Sequence, residues 1–127
     1  MYQRIIIAGS REFTDYDYLE YKVDSYFEEF EVDKTKATII SGAARGIDRL
    51  GELYAERHYI DLVRFPADWK RYGKAAGPRR NREMAAFSMA DGCVGVLLAF
   101  WDEKSSGTKN MIDIAKKYDL KVHVISI

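Results

Sequence analysis

Five short apolar runs rich in β-branched residues alternate with four stretches of helical periodicity, and this alternation constrains the fold more than any other feature. The runs are Arg4–Ala8, Ala37–Ile40, Ile60–Phe65, Cys93–Phe100 and Lys121–Ile127. Each is long enough for a strand and too short for an independent helix. Arg4–Ala8 is apolar on both faces, which suits the middle of a parallel sheet. Over Asp15–Phe30 the residues Leu19, Val23, Tyr26, Phe27 and Phe30 recur at helical spacing. Ile47, Leu50, Gly51, Tyr54, Ala55 and His58 repeat the same rule after the second run. Pro66–Gly77 reads as a polar loop, and Pro78 then opens a third helix to about Met89. A fourth helix runs from about Thr108 to Tyr118, with Met111, Ala115 and Tyr118 on one face. The order βαβαβαβαβ predicts an α/β fold, a five-stranded parallel sheet with right-handed crossovers and helices on both faces. The expected strand order is 3-2-1-4-5, which puts a ligand crevice at the carboxyl ends of the first and fourth strands.

No repeat, linker or break in composition divides the chain, so residues 1–127 are expected to form a single domain. A hydrophobic share of 47% with only two prolines excludes a disordered chain. Twenty basic residues balance twenty acidic ones, so no global charge draws the molecule to nucleic acid or to a membrane. The balance hides two local fields. Nine acids face one base, Lys22, between Glu12 and Asp33. Seven bases (Arg64, Lys70, Arg71, Lys74, Arg79, Arg80 and Arg82) face one acid, Asp68, further on. One cysteine and two isolated histidines lack metal-ligand spacing, so no metal is expected. Cys93 reads as a packing residue inside a strand, and His58 and His123 read as structural. Neither a leader nor a spanning segment is apparent, and the expected location is cytoplasmic.

The residues that carry chemistry fall just after strands. Gly9-Ser10-Arg11 offers a close turn, a hydroxyl and a guanidinium, donors that suit phosphate, although Arg11 would equally serve as a surface partner of Glu12 or Asp15. Ser41-Gly42-Ala43-Ala44-Arg45-Gly46-Ile47-Asp48 is a small-residue turn entering a helix, whose backbone N–H groups and dipole favour an anion. It matches neither the P-loop nor the GxGxxG fingerprint. The basic loop holds Trp69 and Tyr72, which can stack on a base or anchor the loop on the core. Trp101-Asp102 followed by Ser105-Ser106-Gly107-Thr108 repeats the plan of a polar turn before a helix, where Ser106 or Thr108 would serve as cap. No Ser-His-Asp set and no HExxH motif can be assembled.

Together GSREFT (Gly9–Thr14), SGAARGID (Ser41–Asp48), GPRRNREM (Gly77–Met84) and SGT (Ser106–Thr108) resemble the SLOG superfamily of Rossmann-like nucleotide-binding domains, most closely its YspA/YpsA-related branch. The motifs are also similar to the Rossmann core of the DNA-processing protein DprA. The resemblance implies a pocket for a nucleotide-derived ligand. Gly9, Ser10 and Arg11 would line it at the first strand, with Ser41, Gly42, Ala43, Arg45, Gly46 and Asp48 around phosphate or ribose. Gly77, Arg79, Arg80 and Asn81 would lie on the facing loop, and Gly107 and Thr108 at the last turn. LOG-type phosphoribohydrolases of the same superfamily cleave the N-glycosidic bond of nucleoside monophosphates with an arginine and the glutamate of PGGxGTxxE. This chain carries Met111 where that glutamate would fall.

The first expectation is therefore a sensor or sequestering module for a nucleoside phosphate, NAD or ADP-ribose type of ligand. The second is an N-glycoside hydrolase with Arg79 or Arg80 on phosphate and Glu83, Asp48 or Asp102 as the acid. The third is a DprA-like single-stranded DNA binder using Lys70–Arg82. A homodimer is the preferred assembly.

Overall fold

The computed structural model describes residues 1–127 and contains one parallel sheet in the order β3-β2-β1-β4-β5. Its strands are β1 (Gln3–Gly9), β2 (Ala37–Ser41), β3 (Asp61–Arg64), β4 (Val94–Trp101) and β5 (Lys121–Ser126). The helices are α1 (Tyr16–Glu29), α2 (Ile47–Arg57), a single turn α3 (Trp69–Tyr72), α4 (Ala76–Ser88) and α5 (Ser106–Lys117). The class and the strand order are those expected from the sequence.

Side chains alternate along a strand, so β1 sends Ile5 and Ile7 to one face and Ile6 and Ala8 to the other. Leu19 and Val23 of α1 and Tyr54 of α2 cover the first face. Met84 of α4 with Met111 and Ala115 of α5 cover the second. Two apolar layers on one sheet explain why β1 and β4 carry no polar alternation, each fully buried isoleucine contributing about 2 kcal/mol.

Four local expectations are corrected. The polar stretch before α4 is not all loop: Asp68 caps α3 by accepting the Arg71 N–H at 3.1 Å, and a 3-10 turn follows at Gly73–Ala75. α4 then begins at Ala76, making Pro78 its third residue, still within the first turn where a missing N–H costs no helical bond. α5 is capped by Ser105 rather than by Ser106 or Thr108. Cys93 lies in the turn before β4, half-buried, where Asp91 and Gly92 adopt positive φ and the Cys93 N–H bonds to the Ala90 carbonyl.

His58 ends α2 stacked on Tyr54 at 4.0 Å, with Nε2 3.0 Å from the Glu20 carboxylate and Nδ1 3.2 Å from Lys34 Nζ. His123 packs against Tyr26 and Phe30, and burial lowers its pKa. No helix is long and apolar enough to cross a membrane.

Candidate functional site

The first and second loops interlock at the carboxyl edge of the sheet. The Ile47 N–H donates to the Ser10 carbonyl at 3.0 Å, and Gly46, at φ 75, passes so close that a β-carbon would overlap that carbonyl. Gly9 is equally confined, between the Phe100 carbonyl and Ile47. Ser10 is buried, and its hydroxyl accepts the Glu12 N–H. Ser41 donates to the Glu52 carboxylate at 2.7 Å and accepts the Ala43 N–H at 3.0 Å, in a turn where Ala43 has φ 62. The Ala44 N–H goes to Asp48 Oδ2. The N–H groups of Ala43, Ala44 and Ile47 are thus consumed inside the chain rather than left for an anion. Arg45 turns outward onto Glu12 at 2.7 Å, both side chains exposed.

Beyond these loops the ends of β1 and β4 open into a cleft of about 640 Å³. Gly9, Arg11, Asp48, Gly77, Arg80, Asn81, Gly107 and Thr108 line it, whereas Ser10, Ser41, Gly42, Ala43, Arg45, Gly46 and Arg79 do not. Its floor holds a buried carboxylate, Asp48, and a buried guanidinium, Arg80, on either side of Gly42 without a direct ion pair. Arg80 donates to the carbonyls of Gly42 and Phe65, and its Nε donates to Asn81 Oδ1 at 2.9 Å. A β-carbon on Gly42 would lie 2.7 Å from Arg80 Nη1 and 2.8 Å from Asp48 Oδ2, so this glycine leaves the two charged groups their space. Asn81 continues the network to Asn110 at 2.9 Å, joining α4 to α5. Burial pushes the Asp48 carboxyl up to about 6, against the Ala44 N–H and the Arg80 and Arg11 charges, which pull it down. Burial likewise lowers Arg80, with Asp48 opposing the shift.

The rim is basic. Arg11 makes no hydrogen bond or ion pair, since Glu12 is taken by Arg45 and Asp15 caps α1; its guanidinium stands 5.7 Å from the Trp69 ring. Trp69 is 49% exposed and rests against Gly77, where a β-carbon would meet the indole at 3.3 Å. Lys74 and Lys104 complete the cationic lining. Arg79 instead lies over Tyr72 at 4.2 Å, which leaves Trp69 as the free aromatic surface of this loop. At the start of α5, Ser105 accepts both the N–H and the hydroxyl of Thr108, while the Ser106 and Gly107 N–H groups have no partner in the chain.

Of the carboxylates considered as acids, Asp48 alone lines the cleft. Asp102 holds the turn before α5 by accepting the Lys104 and Ser105 N–H groups, each at 2.8 Å, which lowers its pKa. Glu83 is exposed and outside the lining, and Met111 is buried in the cleft wall. Sequence reading missed Asn110 and Lys104. Asn110 stands three residues after Gly107 on the same helical face, a spacing that would have revealed it.

A parallel α/β sheet with a polar cleft where its winding reverses defines a Rossmann-like protein. A family model described as "YspA, cpYpsA-related SLOG family" matches residues 3–72, more than half of the chain, and the chain belongs to that family. The match spans Arg11, Asp48 and Trp69 and ends before α4. No curated protein and no solved structure matched significantly.

Proposed function

We propose that this chain is a binding module that takes a nucleotide-related anion in the cleft between β1 and β4, as a sensor or sequestering protein. SLOG membership favours nucleotide-related ligands in general. The observation that carries the reading is the convergence of Arg11, Lys74, Arg80 and Lys104 with half-exposed Trp69 on one cleft that holds a single acid. The α5 start, with its free N–H groups beside Lys104, suits a phosphate. Trp69 offers a face for a base. The Asp48 carboxylate repels phosphate and accepts from a ligand hydroxyl or amine, so the ligand's donor groups point to the floor.

Native mass spectrometry of gently purified protein, followed by titration calorimetry with nucleoside phosphates, NAD and ADP-ribose, tests this. The expected result is one ligand per chain, weakened at least about tenfold by Arg11→Ala. No heat with any of them at about millimolar ligand refutes it. Co-purified nucleic-acid fragments bound with a steep salt dependence would instead support single-stranded DNA on the basic Lys70–Arg82 segment.

A second reading is N-glycoside hydrolysis of a nucleoside monophosphate, favoured by a single buried carboxylate on the cleft floor beside Arg80. Release of free base, abolished by Asp48→Asn, is its test.

A further inference from the structure

The polar network that joins α4 to α5 has a direction, and one residue imposes it. Arg80 carries only donors, and the Gly42 and Phe65 carbonyls hold its Nη1 in place. Its Nε lies 2.9 Å from the Asn81 side chain, which must therefore turn Oδ1 toward Arg80 and Nδ2 away. That Nδ2 lies 2.9 Å from Asn110, which in turn must accept through Oδ1. Turning Asn81 over would set its N–H groups against the Arg80 N–H, and turning Asn110 over would set them against those of Asn81. Asn81 is 5% exposed, so water does not relieve either clash.

The relay leaves Nδ2 as the free end of the second amide. Asn110 lines the cleft, and its Nδ2 has no partner in the chain. No buried side-chain polar atom is left unbonded in the molecule, so this nitrogen meets solvent. Asn110 stands three and four residues after Gly107 and Ser106, and a helical side chain leans back over the preceding turn, toward their N–H groups. Those N–H groups are unpartnered as well, and Lys104 lines the same end of the cleft.

We infer that Asn110 is a specificity-determining residue of the cleft, a donor whose polarity Arg80 fixes through Asn81 and which receives a phosphoryl oxygen of the ligand. The inference rests on the reading of the cleft as a nucleotide-related anion site. An unrestrained asparagine rotates its amide to suit either a donor or an acceptor. Asn110 has lost that freedom, so a group that offers only acceptors is preferred at this end of the cleft and an amine is disfavoured. Arg80 and Asn81 act in the relay as positioning residues.

Side-chain amide hydrogen exchange, followed by NMR on the full chain without ligand, tests the relay. The Asn81 Nδ2 protons should be protected about tenfold or more relative to those of Asn110. In Asn81→Asp the carboxylate accepts on both sides, so Asn110 should turn over and its Nδ2 protons should gain protection. Protected Asn110 protons in the parent, or no gain in Asn81→Asp, overturn the inference. Titration calorimetry with ADP and adenosine tests the recognition. Asn110→Ala removes the donor, whereas Asn110→Asp also removes it but keeps the acceptor for Asn81 and with it the bond between α4 and α5. Both should weaken ADP about fivefold or more and leave adenosine within about twofold. Equal losses for the two probes, or no loss for ADP, overturn the recognition. A parent that binds neither probe at about 10 mM overturns it together with the anion-site reading, while the exchange order stands or falls by itself.

Discussion

Asp48→Asn probes the physical character of the cleft floor. The Asp48 side chain is 7% exposed, and its carboxyl is raised from the ordinary 3.8 to about 6, mainly by burial. A group whose pKa is higher in the folded state holds its proton more tightly there. The stability it contributes is complete below the unfolded value of 3.8 and is lost as pH rises through about 6. The shift amounts to about 3 kcal/mol against the folded state once the group is ionised. Asparagine keeps the shape and one oxygen for the Ala44 N–H but carries no charge. The variant should therefore match its parent near pH 4 and exceed it by up to about 3 kcal/mol near pH 8, raising Tm by roughly 10 °C. Urea unfolding followed by tryptophan fluorescence from about pH 4 to 8 measures the difference, urea being chosen because a guanidinium salt would screen the charges at issue. Ligand affinity should move the other way, falling about tenfold or more as the carboxylate acceptor is lost. A stability difference that is flat with pH, or a variant weaker than its parent near pH 8, refutes the account of a desolvated carboxylate.

Three further substitutions address the parts around it. Gly46→Ala forces a side chain onto a positive φ and into the Ser10 carbonyl, and should cost at least about 2 kcal/mol in urea unfolding, with the loss read as a lower midpoint at unchanged slope. Arg80→Met removes the donors to the Gly42 and Phe65 carbonyls and the positive charge beside Asp48. It should destabilise by about 2–4 kcal/mol and lift the Asp48 pKa further, visible as a displaced pH–stability curve. Trp69→Ala should cost about 1–2 kcal/mol in urea unfolding, since half of the indole is buried against Gly77, and weaken nucleotide binding in calorimetry about tenfold while sparing inorganic phosphate.

The layering of the fold was legible because period-2 and period-3.6 patterns survive in single residues. Ile5, Ile6 and Ile7 could only be a strand covered on both faces, and Leu19 and Val23 could only point inward from a helix. The strand order followed because alternating elements force crossovers and crossovers have one hand. Boundaries were less legible where a polar side chain, and not periodicity, decides them. Asp68 nucleates α3 inside a stretch with no apolar rhythm, and Ser105 moves the start of α5 two residues ahead of Thr108.

The site divides along the same line. Turns after strands mark where backbone approaches the cleft, and that much is written in Gly9, Gly42 and Gly46. Which donors remain for a ligand depends on what each is already bonded to, and the SGAARGID turn spends its Ala43, Ala44 and Ile47 N–H groups on Ser41, Asp48 and Ser10. A motif that reads as an anion cradle is therefore largely a brace between two loops. The groups with nothing else in the chain to satisfy are Arg11 on the rim, the Trp69 face and the first turn of α5. The floor was the least legible part, because Asp48 and Arg80 lie 32 residues apart on opposite faces of the sheet. Both come up against Gly42, which leaves them room only because it lacks a β-carbon. That glycine is required by two side chains rather than by its own φ, so a sequence reading that assigns glycines to turns cannot foresee the two charged groups that flank it.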